Sequence, residues 1–188
     1  MALLVSGGAA VSVVFVKVQP DLARERTRWR EGKQWDKPFL LILGVVGPAL
    51  TQLVCGLDKR FGWSPAPFAP LQAAAAMVFA AGVAITAWAM AVNPFFSAVV
   101  RIQTDRGHTV VGRGPYRFVR HPGYAGMSLA TLSGPVVLGT WWGLAPAALL
   151  VVTIVLRTVL EDRTLHDELP GYREYAARVR HRIVPALW

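Results

Sequence analysis

The 188-residue chain is 54% hydrophobic and only 16% charged, where a soluble domain carries about 25% charged residues; an ordinary water-soluble domain is excluded. Twenty Lys and Arg against 11 Asp and Glu, with a pI near 10.6, would suggest a nucleic-acid partner if the basic face were soluble. The placement of the charges along the chain therefore decides what they mean.

Residues 1–16 carry no charge and predict a first membrane span at about 2–18. A cleaved leader would have a positive segment ahead of the apolar run and a small-residue site behind it; this run has neither and passes into Gln19-Pro20, so it reads as a span. The charge-free run 39–57 predicts a second span at 38–57. Pro65, Pro67 and Pro70 trim the run 61–100 at its start and Asn93-Pro94 trims its end, leaving a third span at 68–92. The run 122–156 has 35 residues, about 52 Å as one helix, too long for a hydrocarbon core of ~30 Å. It folds back at Gly139-Thr140-Trp141-Trp142-Gly143, giving spans at 122–138 and 143–160 with the two tryptophans as interface anchors. Beyond Leu169-Pro170-Gly171, Tyr172, Tyr175, Val179 and Ile183 form one stripe with Arg173, Glu174 and Arg178 largely off it, which predicts an amphipathic helix on the membrane surface.

The expected fold is all-α: a polytopic integral membrane protein of about five spans, the last two a helical hairpin, followed by a cytoplasmic C-terminal amphipathic helix. Residues 1–188 form one membrane domain, with three spans in 1–93 and most of the polar sequence in 94–188. Eighteen of the 20 Lys and Arg fall in the connections on one side; only Lys59 and Arg60 fall on the other. The positive-inside rule then puts the N-terminus outside and the C-terminus in the cytoplasm of a cell inner membrane, which an odd number of spans satisfies. The basic excess reports topology, and no nucleic-acid partner is expected. Cys55 is the only cysteine, and the four histidines lack metal-ligand spacing, so neither an intrachain disulfide nor a metal site is expected.

Chemistry is expected in the two polar segments, 94–121 and 157–188. The glycines and prolines of the first prevent a continuous helix and leave backbone groups free, and such backbone at a membrane lines a wet cavity or is buried in protein. Arg157 and Glu161 lie four apart on one helical face. Spacing alone allows an interfacial ion pair or two opposite charges beside a ligand. Asp162 points to another face and reads as solvated charge, and His121 before Pro122, taken alone, reads as structural.

The ordered string Gly114-Pro115-Tyr116, Arg120-His121-Pro122, Tyr124 and Gly126, then Glu161-Asp162, then Tyr172-x-x-Tyr175 and a closing Arg180-His181-Arg182-Ile183-Val184-Pro185 resembles the isoprenylcysteine carboxyl methyltransferase family, whose plan phospholipid methyltransferases share. The resemblance covers about residues 93–188. It implies an integral membrane enzyme that uses S-adenosylmethionine without a Rossmann fold, releases S-adenosylhomocysteine, and methylates a lipophilic acceptor, isoprenoid or lipid-like, at the cytoplasmic face. Residues 94–188 are then the cofactor-binding and catalytic half. By position, the resemblance implies cofactor contacts at Tyr116, Arg120, His121, Pro122, Tyr124, Gly126 and Glu161, with Gln103, Tyr172 and Tyr175 as further candidates. It implies catalytic roles for Arg157 and Glu161. The acidic pair, often Glu-Glu in the family, is Glu-Asp here. Membrane lipids and a lipophilic substrate are the expected partners; the sequence leaves the oligomeric state and the acceptor's identity open. Two other readings stand beside this one: an NADPH-dependent membrane sterol or steroid reductase, which carries a similar His-Pro-x-Tyr half but is longer, and a non-catalytic lipid-binding protein.

Overall fold

Prolines and glycines set the ends of nearly every element. A computed structural model of the chain describes residues 31–188, so the expected first span lies outside the described residues. A single 3-10 turn, Gln34–Asp36, leads into α1 (Lys37–Leu41), which passes through one π-helical turn, Ile42–Val46, into α2 (Gly47–Phe61). Pro48 explains the wide turn: its ring collides with the carbonyl four residues back and it has no N–H to give, and a π turn relieves both. Gly62 then ends α2 in the left-handed region at φ 63°, its N–H on the Asp58 carbonyl at 2.8 Å.

Helix α3 (Ala69–Val92) has Pro70 in its first turn and stops at Asn93, extended ahead of Pro94. Helix α4 (Pro122–Val137) begins on Pro122, and α5 (Leu144–Glu168) runs to Leu169, extended ahead of Pro170. Helix α6 (Tyr172–Arg178) is seven residues long. Among the described residues there is no β-strand, and three helices are long and apolar enough to cross a membrane: Gln34–Phe61, Ala69–Val92 and Leu144–Glu168, of 28, 24 and 25 residues. Helix α4 has 16 residues, about 24 Å at the helical rise. The α4–α5 hairpin turns at 138–143, where the sequence predicts it, with Trp141 and Trp142 exposed.

The helices meet through small residues. Gly82 of α3 and Gly126 of α4 bring two backbones together; a Cβ on Gly126 would collide with the Gly82 carbonyl and with Thr86. Gly47 likewise admits Leu150 of α5. Large apolar side chains face outward instead, among them Leu41, Val45, Leu53, Met77, Leu149 and Val152, the inverse of a water-soluble helical fold and the surface a lipid environment requires.

The two ends of the bundle differ. At one end, buried Asp58 accepts the Ser64 N–H at 2.9 Å, the Ser64 hydroxyl at 2.7 Å and the Trp142 N–H at 3.4 Å, joining the α2–α3 connection to the hairpin turn. At the other end lie the segment before α1, the long loop 93–121 and the residues after α5. Two expectations change there. The stripe of α6 is not a membrane-surface face: Tyr172, Tyr175 and Ile183 are buried in protein, and both tyrosine hydroxyls are bonded within it. Asp162 is not solvated charge but 2% exposed, because the cationic and phenolic groups that satisfy it come from segments distant in sequence.

Candidate active site

Loop 93–121 is held by its own polar side chains. Asn93 caps Phe95 by accepting its N–H at 2.9 Å and donates to the Tyr116 hydroxyl at 3.1 Å. Gln103, 1% exposed, donates to the Phe95 carbonyl at 2.8 Å and accepts from Arg106 at 2.6 Å. The Phe95 and His108 rings lie 4.5 Å apart. A loop so braced at both ends has fixed walls despite its irregular backbone.

The closing segment of the chain docks onto the Arg-His-Pro string. Arg120 and His121 donate their N–H groups to the carbonyls of His181 and Arg182 at 2.9 and 2.8 Å. The Arg120 guanidinium reaches Asp162 through Nε and Nη2, both at 2.9 Å, and the carbonyls of Val179 and Arg180 through Nη1, both at 2.9 Å. Asp162 also accepts from the Tyr172 hydroxyl at 2.8 Å and Arg182 Nε at 2.9 Å, with His121 Nε2 at 3.2 Å. Burial works against the charge on Arg120, and the Asp162 carboxylate outweighs it, raising its pKa. Burial pushes the Tyr172 phenol far above its ordinary value, and the neighbouring Asp162 pushes the same way; burial likewise raises Tyr116 and Tyr175. These phenols stay protonated donors at neutral pH.

A cavity of about 560 Å³ runs alongside this node, within the range of small-molecule sites. Its polar part is lined by Tyr116, Arg120, His121, Tyr124, Arg157, Glu161, Tyr172 and Tyr175. Its apolar part passes Phe95, Phe96, Met90 and Met127 to Leu40, Leu43 and Gly44, next to the outward-facing Leu41 and Val45. A Cβ on Gly44 would meet nothing within 4 Å. Eight of the sequence-derived candidates therefore share one cavity. Three do not line it. Gln103 braces the loop, Pro122 is buried as the first residue of α4, and Gly126 is pressed against α3.

Arg157 and Glu161 both line the cavity, and no ion pair joins them among the described residues. Arg157 instead forms a buried fork on Asp36, Nε to Oδ1 at 2.7 Å and Nη2 to Oδ2 at 2.9 Å, and also donates to the Ala98 carbonyl at 2.6 Å. Its guanidinium lies 5.6 Å from the Tyr124 ring centroid. Glu161 Oε2 accepts the Tyr124 hydroxyl at 2.6 Å. Arg157 Nη1 and Glu161 Oε1 have no partner among the described residues. Asp36 and the true role of Asp162 escape sequence reasoning, since both act on residues more than 40 positions away; the one signal for Asp36 is an acid standing directly before Lys37-Pro38 at the mouth of an apolar run.

The profile of the isoprenylcysteine carboxyl methyltransferase (ICMT) family matches residues 74–168, from early α3 to the end of α5. Two curated relatives, from Oryza sativa subsp. indica and subsp. japonica, are each named "Probable protein-S-isoprenylcysteine O-methyltransferase"; both are 30% identical over 91 residues, covering 45% of this chain and 45% of the relative. The match thus spans about half the length of these relatives. The family profile covers Arg120, His121, Tyr124, Arg157 and Glu161, whereas Asp36, Tyr172, Tyr175 and Arg182 lie outside it.

Proposed function

The chain belongs to the isoprenylcysteine carboxyl methyltransferase family, and on that premise we propose that it is an S-adenosylmethionine-dependent methyltransferase acting on the carboxylate of a lipophilic, isoprenoid-type acceptor. The observation that carries this reading is the one cavity that joins Arg157 Nη1 and Glu161 Oε1, a donor and an acceptor without a partner among the described residues, to an apolar corridor that ends beside the lipid-facing surface of α1. In this reading residues 94–188 are the catalytic half of one membrane domain with five spans, and the loop 93–121 and the C-terminus face the cytoplasm.

The donor set fits the cofactor. S-adenosylmethionine is a zwitterion with a sulfonium, an ammonium, a carboxylate and a purine, and the cavity offers a carboxylate, N–H donors and aromatic walls to match. Glu161 would face the cationic groups, Tyr116, Tyr124 and Tyr172 would supply aromatic surface, and His121 with Arg120 would close the polar end. When bound, the cofactor supplies a methyl whose C–S bond breaks as a C–O bond forms on a carboxylate, so that sulfonium and carboxylate both become neutral and no proton moves. The protein needs no general base for this; its contribution is alignment and exclusion of water. Arg157 Nη1 orients the acceptor carboxylate as a charge-assisted donor, and Met90, Phe96, Met127, Leu40 and Leu43 take up the apolar chain.

The test uses detergent-purified protein, methyl-labelled S-adenosylmethionine and an S-prenylated cysteine with a free carboxylate. The expected product is an alkali-labile methyl ester, with S-adenosylhomocysteine binding to the protein. Binding of NADPH in preference to S-adenosylhomocysteine would support the reductase reading instead, and binding of neither, without methyl transfer, a non-catalytic lipid-binding protein.

A further inference from the structure

Opposite charges four residues apart on one helix ordinarily pair with each other. Arg157 and Glu161 do not, and the reason is that each is claimed by a residue of another element. Asp36, 0% exposed, takes Nε and Nη2 of Arg157 in a two-pronged contact and accepts the Val100 N–H at 2.8 Å with the same carboxylate. Its segment is tied down independently: the Lys33 N–H donates to the Val100 carbonyl at 2.9 Å, and Lys33 Nζ meets Glu168 at 2.6 Å. Tyr124 takes Oε2 of Glu161 at 2.6 Å while its ring lies against Arg157. Of the charged groups that line the cavity, Arg157 and Glu161 thus each keep one polar atom without a partner among the described residues.

We propose that Asp36 and Tyr124 are positioning residues that hold Arg157 and Glu161 apart, so that one guanidinium nitrogen and one carboxylate oxygen remain for the bound reactants. The proposal rests on the methyltransferase reading above. Asp36 lies outside the residues that match the family profile, so this support comes from the tertiary structure of this chain. With Asp36 neutralised, the Arg157 fork turns toward Glu161, and the cavity loses both free groups at once. Loss of the Tyr124 hydroxyl frees Glu161 to make the same ion pair from the other side.

Asp36→Asn, Tyr124→Phe and the double variant, purified alongside the wild type, test this through kcat, the acceptor KM, S-adenosylhomocysteine affinity and melting temperature. Misplacement of an orienting group by about 1 Å costs roughly 100-fold in rate, so kcat of Asp36→Asn is expected to fall about 100-fold while its acceptor KM moves by no more than about threefold. Tyr124→Phe is expected to fall about tenfold, and the double variant to stay within about threefold of Asp36→Asn, because the same ion pair forms once in all three. Wild-type kcat in Asp36→Asn, or losses that multiply in the double variant, would overturn the proposal. Should Asp36→Asn fail to fold, Tyr124→Phe decides alone, with an unchanged kcat overturning it. Absence of methyl transfer by the wild type is a separate result: it overturns the methyltransferase reading and this role with it.

Discussion

Two adjacent acids, Glu161 and Asp162, illustrate how burial and partners divide one sequence pair into two jobs. Asp162 is enclosed by Arg120, His121, Tyr172 and Arg182, and four of the five N–H donors of Arg120 are engaged by Asp162 and two carbonyls. Such a node fixes the closing segment against the Arg-His-Pro string. Removing one partner of a buried ion pair costs about 3–5 kcal/mol, so Asp162→Asn is expected to lower the unfolding free energy by that amount, read as a clear fall in melting temperature in detergent. Among the described residues Glu161 is bonded only through Oε2. Glu161→Gln is expected to leave the melting temperature within a degree or two of wild type, while turnover falls by about 10²–10³, the range for loss of one electrostatic contact at a reacting centre. The reverse pattern, stability lost at Glu161 and activity at Asp162, would assign the roles the other way round.

At the scale of elements, the contact between α3 and α4 fixes the cavity's walls, since α3 carries Met90 and α4 carries Tyr124 and Met127. That contact depends on Gly82 and Gly126, whose missing side chains let one backbone approach the other. Gly126→Ala forces a methyl against the Gly82 carbonyl and Thr86, an overpacking expected to cost about 1–3 kcal/mol. Gly134, on the same helix, has open space where its Cβ would stand. Gly134→Ala is accordingly expected to be neutral or to stabilise by about 0.5–1 kcal/mol through helix propensity. Equal melting temperatures for the two variants would show that the crossing tolerates a side chain. The π turn at Ile42–Val46 works similarly: it places Leu43 and Gly44 at the apolar end of the cavity, and Pro48, five residues before Leu53, is its local cause.

For the whole molecule, the structure sorts the chain's connections into two groups. The α2–α3 connection and the hairpin turn share Asp58, while the segment before α1, the loop 93–121 and the residues after α5 are tied together by Asp36, Asp162 and Lys33. These are the same two groups that the positive-inside rule separates, with Lys59 and Arg60 in the first and most of the remaining cations in the second. The proposed orientation predicts that, in a Cys55→Ala background expressed in a bacterial inner membrane, Pro65→Cys reacts with an impermeant thiol reagent in intact cells. Arg113→Cys should react only after permeabilisation. The opposite labelling pattern would invert the orientation and place the cavity's polar end outside.

Hydropathy, prolines and glycines locate the helices up to α4 within a few residues, because membrane spans are selected by length and apolarity, both local properties; α5 runs on past the expected end at 160 to Glu168, through charged turns that hydropathy does not mark. The Arg-His-Pro string and the Arg157–Glu161 spacing likewise pointed to the residues that line the cavity. Local pattern failed where the partner was distant. The stripe of α6 read as a membrane face, yet Tyr172 and Tyr175 close on Asp162 and the Tyr116 carbonyl; Asp162 read as solvated, yet it is the buried hub. Arg157 and Glu161 could be read as partners, yet Asp36 and Tyr124 hold them apart. An amphipathic stripe says that one face must be covered, and a charge says that it must be compensated; neither says by what, and only tertiary structure chooses among lipid, water and a side chain folded back from far along the chain.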